Sequence, residues 1–310
     1  MIFRTIFHTT TKQFSRHIHI NKEIIKGDVP GQIIIAHGML GSLSNWSSLS
    51  RRIAKETGKT VITFDARNHG ISEHNPSMSY QDMSQDMKNL ITEDKATLIG
   101  HSMGGRTCMY LALKWPQLGK KMKKIQTINL SQMMFFLPSF SVEKLVVVDV
   151  SPVNVTFDVT DATEWNMAHF FYAMKAVQFP QNSTIFQARK AADAQLAKRI
   201  SNPGLRSWLL MNVYQNQDGI IGWRVNLDIV LEAFEKFIRT FPNDEFSEEQ
   251  KYKGPTLFIG GELSEYIPVT DHPDILEKFP NAKFEYIEGA GHWVHSQKPN
   301  EFLKVLLKFL

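Results

Sequence analysis

The chain of 310 residues has few of the features that mark disulfide-rich or membrane-spanning proteins. Its one cysteine, Cys108, excludes an internal disulfide framework, and we expect this side chain to be a small buried hydrophobe. No apolar run approaches the roughly 18–20 residues that a helix needs to cross a bilayer, so we expect no stable membrane span. With 43% hydrophobic and 21% charged residues, the composition is typical of a globular protein with a substantial core.

Acidic residues are absent from two basic stretches, which together account for the net charge of +4. Residues 1–20 carry Arg4, Lys12 and Arg16, and residues 120–124 carry four lysines. The rest of the chain has a net charge of −3. Because nucleic-acid-binding domains present a basic face, this distribution predicts that the protein does not bind nucleic acid.

The chain also lacks the patterns of metal and cofactor sites. His17 with His19, and His69 with His74, form close pairs, but no cluster of acids or cysteines accompanies them. No glycine-rich phosphate-binding loop is present. We therefore predict neither a metal ion nor a cofactor.

Residues 1–20 combine arginine and hydroxyl side chains with an absence of acids, and they lack the continuous apolar centre of a secretory signal. This pattern is typical of a mitochondrial transit peptide. We therefore predict that residues 1–20 are a transit peptide and that the protein resides in the mitochondrion, in its matrix. Residues 21–310 are predicted to form a single domain.

Short apolar segments alternate with helical patterns over most of that domain. Strands are predicted at 32–36, 60–65, 96–99, 145–149, 256–259 and 283–287, and helices at 45–57, 79–93, 107–115, 274–279 and 299–310. Strands that are apolar on both faces indicate a mostly parallel sheet covered by helices on both sides, which is an α/β fold.

This alternation stops over residues 153–250. Helical periodicity continues there at 163–176, 185–198, 205–213 and 227–241, without a convincing core strand. We therefore predict a helical cap over 153–250, inserted between two strands of the sheet.

Residues 119–141 form an atypical insert, in which four lysines precede an apolar run. A membrane-contacting lid is one interpretation. We favour an intron retained in the coding sequence, because deletion of 23 codons joins Leu118 smoothly to Glu143 through a single valine. This hypothesis predicts a GGT codon for Gly119 followed by AAG, and a Ser141 codon that ends in A.

The pentapeptide Gly100–Gly104 reads Gly-His-Ser-Met-Gly and is the strongest chemical signal in the chain. In the Gly-x-Ser-x-Gly elbow a serine occupies a sharp turn between a strand and a helix, with positive φ, and the glycines avoid collisions of β-carbons. The predicted strand at 96–99 and helix at 107–115 provide this context. Ser102 is therefore the candidate nucleophile.

A serine nucleophile needs a base that removes its proton and an acid that orients the base. His292 lies in a glycine-flanked loop between the last predicted strand and the last helix, from which an imidazole can reach the edge of the sheet. His295 is the alternative. Because of its position and its flanking glycines, we predict that His292 is the base.

Three carboxylates are candidates for the acid. Asp149 ends the strand that follows the elbow helix, and Asp228 lies in a predicted cap helix. Glu265 is one residue from Ser264, which occupies the place after the penultimate strand where an aspartate is usual. We favour Asp149, and Asp228 and Glu265 remain open.

The oxyanion that forms during acyl transfer needs backbone N–H donors. One is the amide of Met103, which follows the nucleophile, and the other is the amide of Met39, in the turn after the first predicted strand. The polar side chains of the loop 65–72 lie at the same edge of the sheet. We expect them to lock loops by hydrogen bonds rather than to contact substrate.

Together these segments resemble the α/β-hydrolase superfamily, and in particular the mitochondrial alpha/beta hydrolase domain-containing protein 11 group with related bacterial esterases and yeast acetyltransferases. The matching stretches are His37–Ser42 with Asn45 and Trp46, Asp65–Gly70, Gly100–Gly105, Val146–Pro152, and Gly289–His295 with Lys298 and Pro299. The resemblance implies an α/β-hydrolase fold with a helical cap and a role in lipid metabolism. It also supports Asp149 by analogy, because the group lacks an aspartate after the penultimate strand.

The predicted activity is hydrolysis of a carboxylic ester or thioester, a small-molecule substrate, through an acyl-enzyme on Ser102. One alternative is an acyltransferase that passes the acyl group to an alcohol or thiol. Another is a non-catalytic, hydrolase-like binding protein. The choice between hydrolysis and transfer depends on how well the cap excludes water, which the sequence leaves open. A few aromatic residues of the cap are expected to line an acyl pocket.

Overall fold

The computed structural model describes residues 17–115, 141–154 and 167–310. The strands are β1 (Lys22–Ile25), β2 (Val29–Ala36), β3 (Lys59–Phe64), β4 (Lys95–His101), β5 (Ser141–Val148), β6 (Val213–Gln215), β7 (Ile221–Trp223), β8 (Thr256–Gly261) and β9 (Ala282–Ile287). Seven of them form one sheet in the order β1-β3-β2-β4-β5-β8-β9. Only β1 pairs in antiparallel orientation within this sheet. The predicted mostly parallel sheet is thus confirmed.

The helices flank this sheet or form the cap. They are α1 (Ser47–Thr57), α2 (Tyr80–Leu90), α3 (Met103–Lys114), α4 (Met167–Lys175), α5 (Ile185–Leu196), α6 (Pro203–Leu210), α7 (Leu227–Ala233), α8 (His272–Lys278), α9 (Val294–Gln297) and α10 (Pro299–Phe309). A π-helical turn extends α7 to Ile238. Helices α4 to α7 all lie between β5 and β8 in the chain, as expected for an inserted cap.

The strand β2 shows why the sheet is covered on both faces. Ile33 and Ile35 belong to an apolar cluster that includes side chains of α1 and α10. Ile34, which points to the opposite face, belongs to a second cluster with side chains of α2 and α3. A continuous apolar run in the sequence therefore corresponds to a strand buried on both sides.

The cap segment 153–250 contains a hairpin that the sequence did not reveal. The helix predicted at 205–213 ends at Leu210, and β6 and β7 then pair in antiparallel orientation. In the turn between them, the side chain of Asn216 accepts the N–H of Ile220 at 2.8 Å. Asparagine forms this kind of local bond readily, and the turn reverses the chain between the helices predicted at 205–213 and 227–241.

Two sequence-based predictions fall mostly outside the described residues. Of the insert 119–141, only Ser141 is described, as the first residue of β5. Of the predicted transit peptide, residues 17–20 are described, and the N–H of His19 donates to the carboxylate of Glu73 at 2.9 Å. A transit-peptide boundary at residue 20 would therefore fall within a segment that contacts the domain.

The pairing of β5 with β4 contains one irregularity. Between Ala96 and Thr97 of β4 the register shifts, and Glu143 is the extra residue on β5. From Lys144 to Val148 the pairing is continuous. The irregularity therefore lies at the end of the strand far from Ser102.

No helix within the described ranges has both the length and the apolar character needed to traverse a bilayer. Across the same residues, no three histidine, cysteine, aspartate or glutamate side chains are grouped so that they could hold a metal ion.

Candidate active site

Ser102 occupies the sharp turn between β4 and α3. Its φ of 51° and ψ of −120° lie in a region that non-glycine residues rarely adopt. A Cβ on Gly100 would lie 2.3 Å from the carbonyl oxygen of Gly104, and a Cβ on Gly104 would lie 2.5 Å from that of Ala36. The glycines are therefore required by close backbone contacts. Helix α3 begins at Met103, directly after the turn and earlier than predicted.

The structure brings His292 and Asp149 together. His292 Nδ1 lies 2.7 Å from Asp149 Oδ2. Asp149 follows β5 and is fully buried, whereas His292 lies in the loop between β9 and α9, with its ring stacked on Tyr266 at 4.0 Å between centroids. With the carboxylate as acceptor, Nδ1 carries the hydrogen, and in a neutral ring the lone pair then lies at Nε2. His292 is thus oriented to accept a proton at Nε2.

The Asp149 carboxylate has two further donors that sequence reasoning did not identify. The N–H of Gly261 donates to Oδ1 at 3.0 Å, and the hydroxyl of Ser264 donates to Oδ2 at 2.5 Å. Ser264 occupies the place after the penultimate strand at which the sequence analysis noted a missing aspartate. That departure from the usual pattern was the available signal, because the serine contacts the acid instead of supplying it.

The other candidates for acid and base lie elsewhere. Asp228 is exposed and forms an ion pair with Lys175, and Glu265 is also exposed. Among the described residues, neither carboxylate is hydrogen-bonded to His292. His295 is buried and stacks on Trp46 with ring centroids 4.3 Å apart. The structure therefore pairs His292 with Asp149, and it does not place Asp228, Glu265 or His295 in this pair.

Ser102 and His292 are linked through His101. His101 Nε2 donates to the carbonyl oxygen of His292 at 2.9 Å, and the two rings lie 4.7 Å apart. Burial lowers the pKa of His101 well below its ordinary value, so this ring is neutral. Within the described part of the chain, Ser102 Oγ has no hydrogen bond to His292. Such bonds are commonly long before substrate binds and shorten in the complex.

The two predicted oxyanion donors lie in different segments near Ser102: Met103 follows it directly, and Met39 lies in the loop after β2. Met103 is the first residue of α3, so its N–H has no acceptor within the helix. The N–H of Leu40 donates to His69 Nε2 at 3.2 Å, whereas the N–H of its neighbour Met39 has no acceptor among the described residues. A Cβ on Gly38 would lie 3.3 Å from Ser102 Cβ, so this loop closely approaches the serine. Both amides are thus available close to Ser102.

Two buried histidines hold the loop that contains Met39. His37 Nε2 accepts the N–H of Ala66 at 2.9 Å, and its Nδ1 donates to the carbonyl of Gly38 at 2.7 Å. His69 accepts from the Leu40 amide. Burial lowers the pKa of His37, and it lowers that of His69 to about 3. Both rings are therefore neutral, which their acceptor roles require.

The loop 65–72 is locked by hydrogen bonds, as predicted. Asp65 accepts the N–H groups of Leu43 and Ile71 at 2.8 and 3.0 Å. The Arg67 guanidinium donates to both carboxylate oxygens of Asp86, at 2.7 and 2.9 Å. These buried contacts fix the edge of the sheet on which the candidate site is built.

Comparison with known proteins agrees with this geometry. Residues 31–299 match the family described as alpha/beta hydrolase fold. The chain is 38% identical to "sn-1-specific diacylglycerol lipase ABHD11" of Mus musculus over 95% of this chain and 86% of the relative. It is 29% identical to "Esterase YbfF" of Escherichia coli (strain K12), over 90% of this chain and 92% of that protein.

A solved structure described as "Marine microorganism esterase" has a TM-score of 0.77 and 31% identity, over 95% of this chain and 99% of that chain. The family match spans most of the sequence and includes the turn at Ser102 as well as the segments that carry Asp149 and His292. The chain therefore belongs to the α/β-hydrolase fold family.

Proposed function

We propose that this protein is a serine hydrolase that cleaves carboxylic esters, with Ser102 as nucleophile, His292 as general base and Asp149 as the orienting acid. The observation that carries the proposal is the bond of 2.7 Å between buried Asp149 and His292, next to a serine held at positive φ. The relatives named lipase and esterase support the same reaction class.

In the first half of the reaction Ser102 Oγ bonds to the carbonyl carbon of the substrate. Its proton passes to His292 Nε2, and the electron pair of the C=O double bond moves to the oxygen. When the tetrahedral intermediate collapses, the bond to the alcohol oxygen breaks and His292 protonates that oxygen. The acyl group remains on Ser102.

In the second half water replaces the alcohol. His292 removes a proton from water as the oxygen attacks the acyl carbon, and collapse releases the carboxylic acid and restores Ser102. In both halves the amides of Met39 and Met103 would stabilise the negative oxygen, and one such donor contributes about 2.7–4 kcal/mol in related sites. A thioester would follow the same path with a thiol as leaving group.

The acyltransferase alternative rests on a different relative. The chain is 30% identical to "Probable alcohol acetyltransferase" of Saccharomyces cerevisiae, over 90% of this chain and 76% of that protein. If an alcohol replaces water in the second half, the product is a new ester. Incubation with an acyl ester and ethanol, followed by measurement of acid and ethyl ester, separates the two activities.

The direct test of the proposal is labelling by a fluorophosphonate probe, which reacts with activated serine hydroxyls. We expect the full chain to be labelled and the Ser102→Ala variant to remain unlabelled. A folded protein that resists the probe and hydrolyses no short-chain ester would instead support the non-catalytic binding alternative.

We also propose that residues 1–20 direct the protein to the mitochondrial matrix. Their arginine-bearing, acid-free composition supports this assignment. A fusion of residues 1–20 to a fluorescent protein should accumulate in mitochondria, and the same fusion with Arg4 and Arg16 changed to glutamate should not. Cytosolic fluorescence of the unmodified fusion would contradict the proposal.

A further inference from the structure

His292 is hydrogen-bonded at two points, one on its side chain and one on its main chain. Its Nδ1 bonds to Asp149 Oδ2 at 2.7 Å, and its carbonyl oxygen accepts the Nε2–H of His101 at 2.9 Å. Among the described residues, the contact with His101 is the one hydrogen bond that the main chain of His292 forms. His101 therefore connects the backbone of the proposed base directly to the central sheet.

The neighbours of His292 in the chain leave the orientation of its carbonyl group open. Before it, the N–H of Gly291 donates to Gln297 Oε1 at 2.7 Å. Glycine is conformationally permissive, so this bond does not fix the peptide groups that follow. After it, α9 begins only at Val294. The contact with His101 is thus the one that sets the direction of the His292 carbonyl.

His101 itself has a fixed position at the end of β4. It lies opposite Val148 of β5, and the N–H of the next residue, Ser102, donates to the Val148 carbonyl at 3.0 Å. The imidazole is 4% exposed and packs against the ring of His295, with 4.6 Å between centroids. Because His101 and Ser102 are consecutive, a bond from His101 to the base fixes the base relative to the nucleophile.

The bond requires a neutral donor. A carbonyl oxygen only accepts hydrogen bonds, so the hydrogen of His101 lies on Nε2. Its Nδ1 faces the loop that carries Met39, where a Cβ on Gly38 would lie 2.7 Å away. The rings of His101 and His292 are 4.7 Å apart, and a positive charge on His101 would repel the imidazolium that forms on His292. Burial disfavours such a charge by lowering the pKa of His101.

We propose that His101 is a positioning residue, which holds the main chain of His292 so that Nε2 of the base reaches Ser102 Oγ. The inference rests on the ester hydrolysis proposed above and adds a residue that acts through His292 rather than on the substrate. A displacement of about 1 Å at a reacting group can lower a rate about 100-fold. Loss of the bond should therefore lower kcat, whereas KM should change little.

The test compares three variants of the full chain by kcat and KM on p-nitrophenyl acetate and by the rate of fluorophosphonate labelling. His101→Gln keeps a neutral N–H donor at the same number of bonds from Cα as Nε2 of histidine. His101→Asn places the amide one bond closer to the backbone, and His101→Leu removes the donor. We expect both rates to fall about 100-fold in His101→Asn and His101→Leu, and less than about fivefold in His101→Gln.

A double-mutant cycle separates positioning from a purely structural role. In a His292→Ala background there is no imidazole to position, so adding His101→Leu should leave the residual rate unchanged.

The matched control is His169→Leu in cap helix α4. His169 also donates from Nε2 to a main-chain carbonyl, that of Arg199 at 2.9 Å, but it does not contact the candidate site. This variant should keep kcat within about twofold of the wild type.

The role of His101 would be overturned if all three variants kept the wild-type rates or if His101→Gln were as slow as His101→Leu. A loss from His101→Leu that persists in full without the His292 imidazole would overturn it as well. If His101→Leu does not fold, as judged by circular dichroism, His101→Asn takes its place in both comparisons. A wild-type protein that neither hydrolyses an ester nor reacts with the probe would contradict the proposed function itself, and the role of His101 with it.

Discussion

The loops around Ser102 and the cap above them are held in different ways. In the loops, buried polar groups bond directly to main-chain atoms, as His37 does to Ala66 and Asp65 does to Leu43. In the cap, aromatic contacts such as that of Trp208 with Phe170 join the helices, and the ion pairs Lys175–Asp228 and Lys236–Glu232 are largely exposed. Directional bonds fix the positions of atoms, whereas apolar packing mainly fixes volume.

Two of the polar links between the two regions end on loops at the edge of the sheet. Asn212 of the cap donates to the carbonyl of Leu40 at 2.8 Å, and the N–H of Asn226 donates to that of Asn68 at 3.0 Å. Both acceptors belong to loops that surround the candidate site. We therefore expect changes in the core loops to alter the rate of the proposed reaction more than changes in the cap do.

The largest effect is expected from Asp149→Asn. The amide would no longer favour the tautomer of His292 that has a free Nε2, and the same change in another serine triad lowers kcat by about 10⁴. The measurement is kcat on a short-chain ester, with circular dichroism as the check on folding. A folded variant that retains more than a tenth of the wild-type rate would show that Asp149 is not the orienting acid.

The second largest effect is expected on the free energy of unfolding at low pH, and it depends on the buried His295. Burial lowers the pKa of His295 to about 3, whereas an unfolded histidine titrates near 6.5. As the pH falls below 6.5 the unfolded chain takes up the proton first, so the stability that neutral His295 contributes at neutral pH is lost as the pH falls toward 3. The loss from one such group is about 1.4 kcal/mol per pH unit.

His295→Phe should remove that contribution while keeping a ring against Trp46. In urea unfolding at pH 6, 5 and 4, we expect the free energy of unfolding of the variant to fall less steeply than that of the wild type, by about 1.4 kcal/mol per pH unit. Parallel pH dependences for the two proteins would contradict the assignment of a neutral, buried His295.

A smaller effect is expected from Ser264→Ala. The change removes one of the donors to Asp149 but leaves Gly261 in place, so the carboxylate is held less firmly. We expect kcat to fall about tenfold, which corresponds to about 1.4 kcal/mol, with KM unchanged. Ser264→Thr keeps the hydroxyl and should restore most of the rate. A general loss of stability without a fall in kcat would indicate a purely structural role.

The smallest effect is expected in the cap. Asp228 is 81% exposed and pairs with Lys175 at the surface, where such pairs contribute about 0–1 kcal/mol. Asp228→Asn should therefore change kcat and the thermal midpoint only slightly, within twofold and about 2 °C. A loss of activity comparable to that of Asp149→Asn would mean that the cap supplies the acid after all.

The sequence predicted the parts of the site that depend on local backbone geometry. The elbow could be found because a positive-φ serine between a strand and a helix demands glycines at fixed spacing, and the structure has those close contacts at Gly100 and Gly104. The sheet could be found because strands buried on both faces are continuously apolar. The short hairpin of β6 and β7 was missed, since strands of three residues have no resolvable period.

Contacts between distant segments were harder to predict. Three carboxylates remained candidates for the acid, because only the folded sheet places Asp149 within 2.7 Å of His292. Ser264 was noted as an unusual residue, but its bond to Asp149 connects loops after β5 and β8 that are adjacent only in the sheet. The hydrogen bond from His101 to the His292 carbonyl joins residues 191 positions apart, and neither residue type alone suggests it.

The extra residue Glu143 affects how β5 responds to a change in the length of the segment that precedes it. Because the register shift lies at the start of β5, the strand has resumed regular pairing by Lys144 and keeps His101 opposite Val148. Variation in the length of the connection that enters β5 would thus be absorbed about five residues before Asp149. Regular pairing from Lys144 onward would then keep Asp149 beside His292 when the length of that connection changes.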